Sequence, residues 1–194
     1  TVHAVTGQGE VSIYWDDAAE YSRDVVTGYA DFERYKIYKS RDGGNSWGNP
    51  DDMIYDTDGI FAGWRPYMQY DLSAEDDAAH CVYSRGFDCP EESSRGHAIN
   101  GQDPYFPWFS LGTDTGLESV RLDEPVVING DTMRYMYKDV NVTDGLEYTY
   151  SVVAYDMGVE PPFKETYTDI GNGQYEVAID TNYSNPDQWA DPEG

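Results

Sequence analysis

Basic residues are scarce: 12 Lys and Arg stand against 37 Asp and Glu, for a formal net charge of −25. Binding a nucleic-acid backbone needs clustered Lys and Arg, so nucleic acid is excluded as a partner. Charge of this size keeps a chain soluble but strains its compact state by self-repulsion. A solvated surface suited to salty water, a set of bound Ca²⁺ ions, or attraction to a basic partner would each answer that strain. No apolar run approaches the ~20 residues of a membrane-spanning helix. Histidine is limited to His3, His80 and His97. No Gly-x-Ser-x-Gly, His-Glu-x-x-His, glycine-rich phosphate loop or haem-attachment motif occurs. Paired carboxylates can serve as a glycosidase's acid and nucleophile, but among 37 acidic residues some pair lies close by chance. The composition points away from an enzyme. No secretory leader is present and the first residue is Thr1 rather than Met, which reads as a processed chain or a piece of a longer one.

Aromatics are abundant, at 15% of the chain with 18 tyrosines. That argues against disorder and favours strands. Tyr148, Tyr150, Val152 and Ala154 alternate with Glu147, Thr149, Ser151 and Val153, the period-two pattern of a half-buried strand. Upstream, Val11, Ile13 and Trp15 alternate with Ser12 and Tyr14. Residues 3–6 read as a first strand and 34–40 as another. Residues 133–142 and 146–156 read as a pair joined by a turn at Asp144-Gly145. Asn129-Gly130-Asp131 reads as a hairpin turn. Short pieces appear at Met53–Tyr55, Trp64–Tyr70 and Val126–Ile128, and Ala74–His80 can form one helical turn. Residues 166–170 and 175–179, around Gly171-Asn172-Gly173, read as a final hairpin. The expected class is all-β: one antiparallel β-sandwich domain over 1–181, a loop-rich stretch over about 48–130, and an extended tail over 182–194.

Several segments resemble the fibronectin type III family. Val142-x-Asp144-Gly145-x-x-Tyr148 is similar to that family's E–F turn, where the tyrosine caps the turn as a tyrosine corner. Val11–Asp16 is similar to its strand B with the core tryptophan, here Trp15. Arg34–Ser40, with Tyr35 inward, is similar to strand C. The stretches around Trp15–Asp24, Asp31–Gly48, Gly63–Leu72 and Leu111–Leu117 resemble such modules in secreted proteins of environmental bacteria. The likeness covers roughly residues 9–72 and 110–158, and Arg34 stands where that subgroup usually has glycine. It implies an immunoglobulin-like sandwich with a large insertion between strands C and E, an extracellular or cell-surface setting, and structural residues Trp15, Tyr35, Val142, Gly145 and Tyr148. In that setting Cys81 and Cys89, seven residues apart from within, are expected to close a disulfide. Zinc on His80, Cys81, Cys89 and His97 is the other reading, although the spacing is not the usual two to four residues.

Carboxylate clusters are the candidate cation sites. Asp16, Asp17, Glu20 and Asp24 follow the Trp15 strand, and Asp31 and Glu33 precede the next, placing both groups at one end of the sandwich. Asp56-Thr57-Asp58-Gly59 resembles part of a calcium turn without its downstream glutamate. Glu75, Asp76 and Asp77 form a third group. Calcium takes six to eight oxygens from such loops, and hydrated loops account for the same clusters without it. Trp64, Tyr105, Trp108 and Phe109 are candidate rings for stacking on a ligand, or else cover for the core. The sequons at Asn141 and Asn182 permit glycosylation in a suitable host. The resulting expectation is a non-catalytic, calcium-stabilised building block of a cell-surface or filamentous assembly, partnered by copies of itself or other surface proteins. A carbohydrate-binding or adhesion module is the alternative.

Overall fold

A computed structural model describes residues 1–23, 30–80, 98–103, 106–156, 164–171 and 174–180. Their regular structure is almost all antiparallel strand: β1 (Val2–Gly7), β2 (Glu10–Trp15), β3 (Phe32–Ser40), β4 (Met53–Tyr55), β5 (Phe61–Trp64), β6 (Met68–Asp71), β7 (Arg121–Ile128), β8 (Asp131–Asp139), β9 (Thr149–Asp156), β10 (Lys164–Gly171) and β11 (Gln174–Asp180). One short helix, α1 (Ala74–Ala79), is capped by the Ser73 hydroxyl, which accepts from the Asp76 N–H. It fits the single helical turn expected there.

Two sheets carry the body, in the orders β1-β2-β8-β7 and β6-β3-β9. The hairpins β4-β5 and β10-β11 stand as separate two-stranded sheets. Alternation along β2 puts Val11, Ile13 and Trp15 inside while Ser12 and Tyr14 are half-buried. Phe32, Tyr35 and Ile37 of β3 join them, with Tyr135 of β8 and with Leu72, Leu117 and Val120 from connections. Residues of both sheets share this one core, so the sheets pack face to face in a sandwich-like layer pair. Trp15 stacks on Tyr135 with centroids 5.5 Å apart and meets Tyr35 edge-on at 5.6 Å. Truncating such a ring to alanine costs about 3–5 kcal/mol.

Turn chemistry sets the register. Ile128 pairs with Asp131 across the two-residue loop Asn129-Gly130. Both loop residues have positive φ, 53° and 96°, as a type I′ hairpin turn requires. Between β8 and β9 the Leu146 N–H donates to the Thr143 carbonyl, and Gly145 supplies φ 85° at the position where a type II turn needs it. The Thr143 N–H donates to the Tyr148 phenol oxygen at 3.0 Å, so Tyr148 folds back over the turn that precedes it. This corner shortens the flanking strands. β8 ends at Asp139 and β9 begins at Thr149, rather than running to 142 and from 146.

The stretch 48–130 is not wholly separate from the body. Its β6 pairs with β3, and its β7 pairs with β8. The strand expected at Val126–Ile128 starts earlier, at Arg121, with its register broken between Arg121 and Val126.

Among the described strands β1 and β9 are edge strands of their sheets, and they approach each other. Val2 pairs with Trp15 and Ala4 with Ile13, so both share the core-facing side of their sheet. Yet Val2 is 40% exposed and Ala4 is exposed. In the other sheet, Val152 and Ala154 of β9 are only partly buried against the core. β9 pairs with β3 alone, and β10 and β11 pair only with each other among the described strands.

Candidate functional site

β3 is buried along both faces, which is unusual for a strand whose outer face should meet water. Its inward residues include Tyr35 and Ile37; the alternate residues Arg34, Lys36 and Tyr38 point outward. Phe109 and Ser110 lie over that outer face. Arg34 is 0% exposed. Its Nη1 donates to the Ser110 carbonyl at 2.7 Å, and its guanidinium lies 5.3 Å from the Tyr155 ring centroid. Its Nε and Nη2 have no acceptor.

Lys36 is 5% exposed. Its contacts are ring faces: the ammonium sits 3.7 Å from the Tyr155 centroid and 5.7 Å from that of Phe109. Burial and the neighbouring Arg34 charge lower its pKa to about 8, while Asp103 opposes them from a distance. Asp103 is itself occupied, accepting from the Tyr155 hydroxyl at 2.9 Å and from the Phe106 N–H.

Above Lys36 lies a cavity of ≈ 690 Å³ whose walls include Tyr38, Trp64, Arg65, Trp108 and Phe109. Among the described residues Lys36 and Arg65 are its charged lining residues, and no Asp or Glu lines it. Each aromatic has a structural reason to be there. Trp64 closes β5 and meets Phe61 edge-on at 5.5 Å. Phe109 lies over Gly63, its nearest ring carbon 3.6 Å from where a Cβ would stand. Trp108 is wedged between Phe106 and Phe109, and its indole N–H is buried without an acceptor. Thus Trp64, Trp108 and Phe109 of the expected stacking set converge on one groove; Tyr105 lies outside the described residues. Arg65 also lines a neighbouring cavity of ≈ 440 Å³ that includes Lys39, Arg41, Asp42 and Asp52.

A second polar cluster ties the two sheets together. Lys39 of β3 pairs with Asp139 of β8 at 2.7 Å, both buried. Asp139 also accepts from the hydroxyls of Tyr67 and Tyr150 and from the Asn141 N–H. Burial pushes its carboxyl up, but these donors and Lys39 hold it below the ordinary value. The Lys39 ammonium lies 4.7 Å from the Tyr148 ring centroid, which couples this pair to the corner.

The proposed cation ligands are dispersed into separate local tasks. Asp16 accepts from the Ala18 N–H and sits 2.5 Å from the Thr1 amine. Asp17 pairs with Arg134. Glu20 is buried and accepts from the Tyr35 hydroxyl at 3.0 Å, with burial raising its pKa. Asp56 takes the N–H groups of Asp58 and Ile60, which closes its turn and leaves Asp58 exposed. Asp76 accepts from the Ser73 hydroxyl that caps its helix. Asp77 is buried and accepts from the Ile99 N–H. Asp31 is half-buried before β3. Among the described residues no group of three His, Cys, Asp or Glu is placed to hold a metal ion. The spacing suggested shared coordination, but Asp16 and Asp56 take nearby backbone N–H groups, and Asp17, Glu20, Asp76 and Asp77 each meet a different partner. His80 is buried, with Nε2 2.6 Å from the Ala30 carbonyl. Asp24, the Cys81–Cys89 bridge and His97 lie outside the described residues.

Sequence reasoning missed Lys36 and Arg65. Arg34 and Lys36 recur at period two on β3, a pattern that by itself reads as a solvent-facing strand side. No family model, curated protein or solved structure matches the chain. Among the described residues no helix is long and apolar enough to cross a membrane.

Proposed function

We propose that the chain is a non-catalytic structural module of the fibronectin type III kind, a building block of an extracellular or cell-surface assembly. The strand orders β1-β2-β8-β7 and β6-β3-β9, with the corner bond from Thr143 to Tyr148, support the family reading. The observation that carries the assembly role is the edge strand β1, paired on one side only among the described strands, where core-facing Val2 stays 40% exposed. A sheet edge with uncovered apolar side chains is a template for a further strand. Copies of the same chain, or another surface protein, would supply that strand. The repulsion of −25 charges would be moderated by salt. Among the described residues no group of three His, Cys, Asp or Glu is placed to hold calcium, and this reading is stated without it.

Light scattering over a wide concentration range, backed by electron microscopy, tests the role. Concentration-dependent oligomers are expected, and Val2→Lys should weaken them without lowering the melting temperature. A wild-type chain that stays monomeric at every concentration, in high salt as well, would remove self-assembly from the account.

A second reading, carbohydrate binding, is favoured by the convergence of Trp64, Trp108 and Phe109 on one groove. Sugar rings present C–H faces that pack on aromatic planes, and ligand pockets are commonly apolar with a few placed polar groups.

A further inference from the structure

The groove over β3 is anomalous in charge. The chain carries 37 acidic residues, yet none of the described ones lines this cavity, while Lys36 and Arg65 both do. Two cations face this space and no carboxylate among the described lining residues does; the carboxylates near them, Asp103 acting on Lys36 and Asp42 and Asp52 beside Arg65, lie outside the lining. Lys36 is 5% exposed, and its ammonium meets rings rather than an anion. A lysine buried only to fill space would turn its ammonium to the nearest carboxylate or to water. Lys36 instead borders the cavity, with Tyr155 and Phe109 fixing its head.

We propose that this groove binds a carboxylate-bearing sugar, a hexuronate unit of an acidic glycan. The proposal rests on the carbohydrate-binding reading and narrows it. Trp64, Trp108 and Phe109 would take the C–H face of the pyranose. Lys36 would meet the carboxylate from below and Arg65 from the rim. An exposed arginine is suited to this, because its planar fork matches a carboxylate. The Gln69 amide and the Trp108 indole N–H, buried without an acceptor, are polar groups of the lining that would meet ring hydroxyls. Selectivity would come from charge: an uncharged sugar entering the same groove leaves the Lys36 ammonium without a counterion.

Calorimetric titration of the whole chain with a glucuronate oligomer and a neutral glucose oligomer of equal length tests this. The acidic oligomer should bind about tenfold tighter or better, the scale of one charge-assisted hydrogen bond. Lys36→Met should reduce acidic binding to the neutral level, and Arg65→Gln, at an exposed position that does not threaten folding, should weaken acidic binding alone. Trp64→Ala should weaken both. Equal affinity for the two oligomers would overturn the acidic class while leaving carbohydrate binding in place. Binding of neither would overturn both. Unchanged acidic binding in Lys36→Met and Arg65→Gln would also overturn the proposal.

Discussion

Replacing Lys36 by methionine should make the protein more stable near neutral pH. Lys36 is 5% exposed and its pKa falls from 10.5 to about 8, chiefly through burial and then through Arg34. Each unit corresponds to 1.36 kcal/mol, so holding the charged form in the fold costs about 3 kcal/mol below pH 8. Loss of the ring contacts with Tyr155 and Phe109 would return about 0.5–2 kcal/mol of that gain. The net expectation is a variant more stable than wild type by about 1–3 kcal/mol at neutral pH. The pH dependence has a definite sign. Between pH 8 and 10.5 the unfolded chain holds a proton on this lysine that the folded chain has released. Wild-type stability therefore rises with pH across that window, and the advantage of the variant shrinks. Tyrosines with raised pKa values, such as Tyr150 and Tyr155, act at higher pH and cancel in the difference between the two proteins. Urea unfolding followed by tryptophan fluorescence, at several pH values from about 6.5 to 10, reads this directly. A variant less stable at every pH, with a difference that does not change through the window, would refute the reasoning. The expected result would mean that the fold keeps a cation at a cost in stability, which suits a ligand-facing role.

Asp139→Asn leaves the Lys39 ammonium buried without its counterion and should cost about 3–5 kcal/mol in chemical denaturation. The carboxyls of Asp139 and Asp71 are both held below the ordinary value. Their contribution is complete above the usual carboxylate range and is lost as pH falls below about 4, where the unfolded chain takes up protons first; acid unfolding of Asp139→Asn should be correspondingly shallower. Tyr148→Phe removes the acceptor of the Thr143 N–H and should cost about 1 kcal/mol, read by urea denaturation. Chelation with EDTA should leave the melting temperature unchanged, since the described carboxylates are engaged locally; a clear fall would show that a structural cation is held.

The architecture was legible where side-chain periodicity and turn chemistry agreed. Trp15 with Val11 and Ile13 announced an inward strand face, and Asn129-Gly130 announced its hairpin. Asp144-Gly145 with Tyr148 announced the corner. Strand ends were less legible because the corner draws residues 140–148 out of the ladder. The partners of the acidic clusters were not legible, because clustering in sequence says which carboxylates are near one another, not what each accepts. Asp56 and Asp76 found backbone or hydroxyl donors within four residues. Asp77 found the Ile99 N–H twenty-two positions away, a contact no local pattern announces. Convergence of Trp64 with Trp108 and Phe109 depends on Phe109 and Ser110 lying over β3, which is a tertiary fact. Lys36 was hidden for the same reason: a lysine in an alternating strand reads as solvent-facing until something covers it.

The central claim is that both sheets close on a single core around Trp15 and unfold as one. Amide hydrogen exchange resolved by residue tests it most directly. The account predicts that β2, β3 and β8 exchange slowest, with a common opening free energy equal to that of global unfolding. Exchange from β3 at a distinctly lower free energy than from β2 and β8 would contradict it, because the second sheet would then be opening without the first.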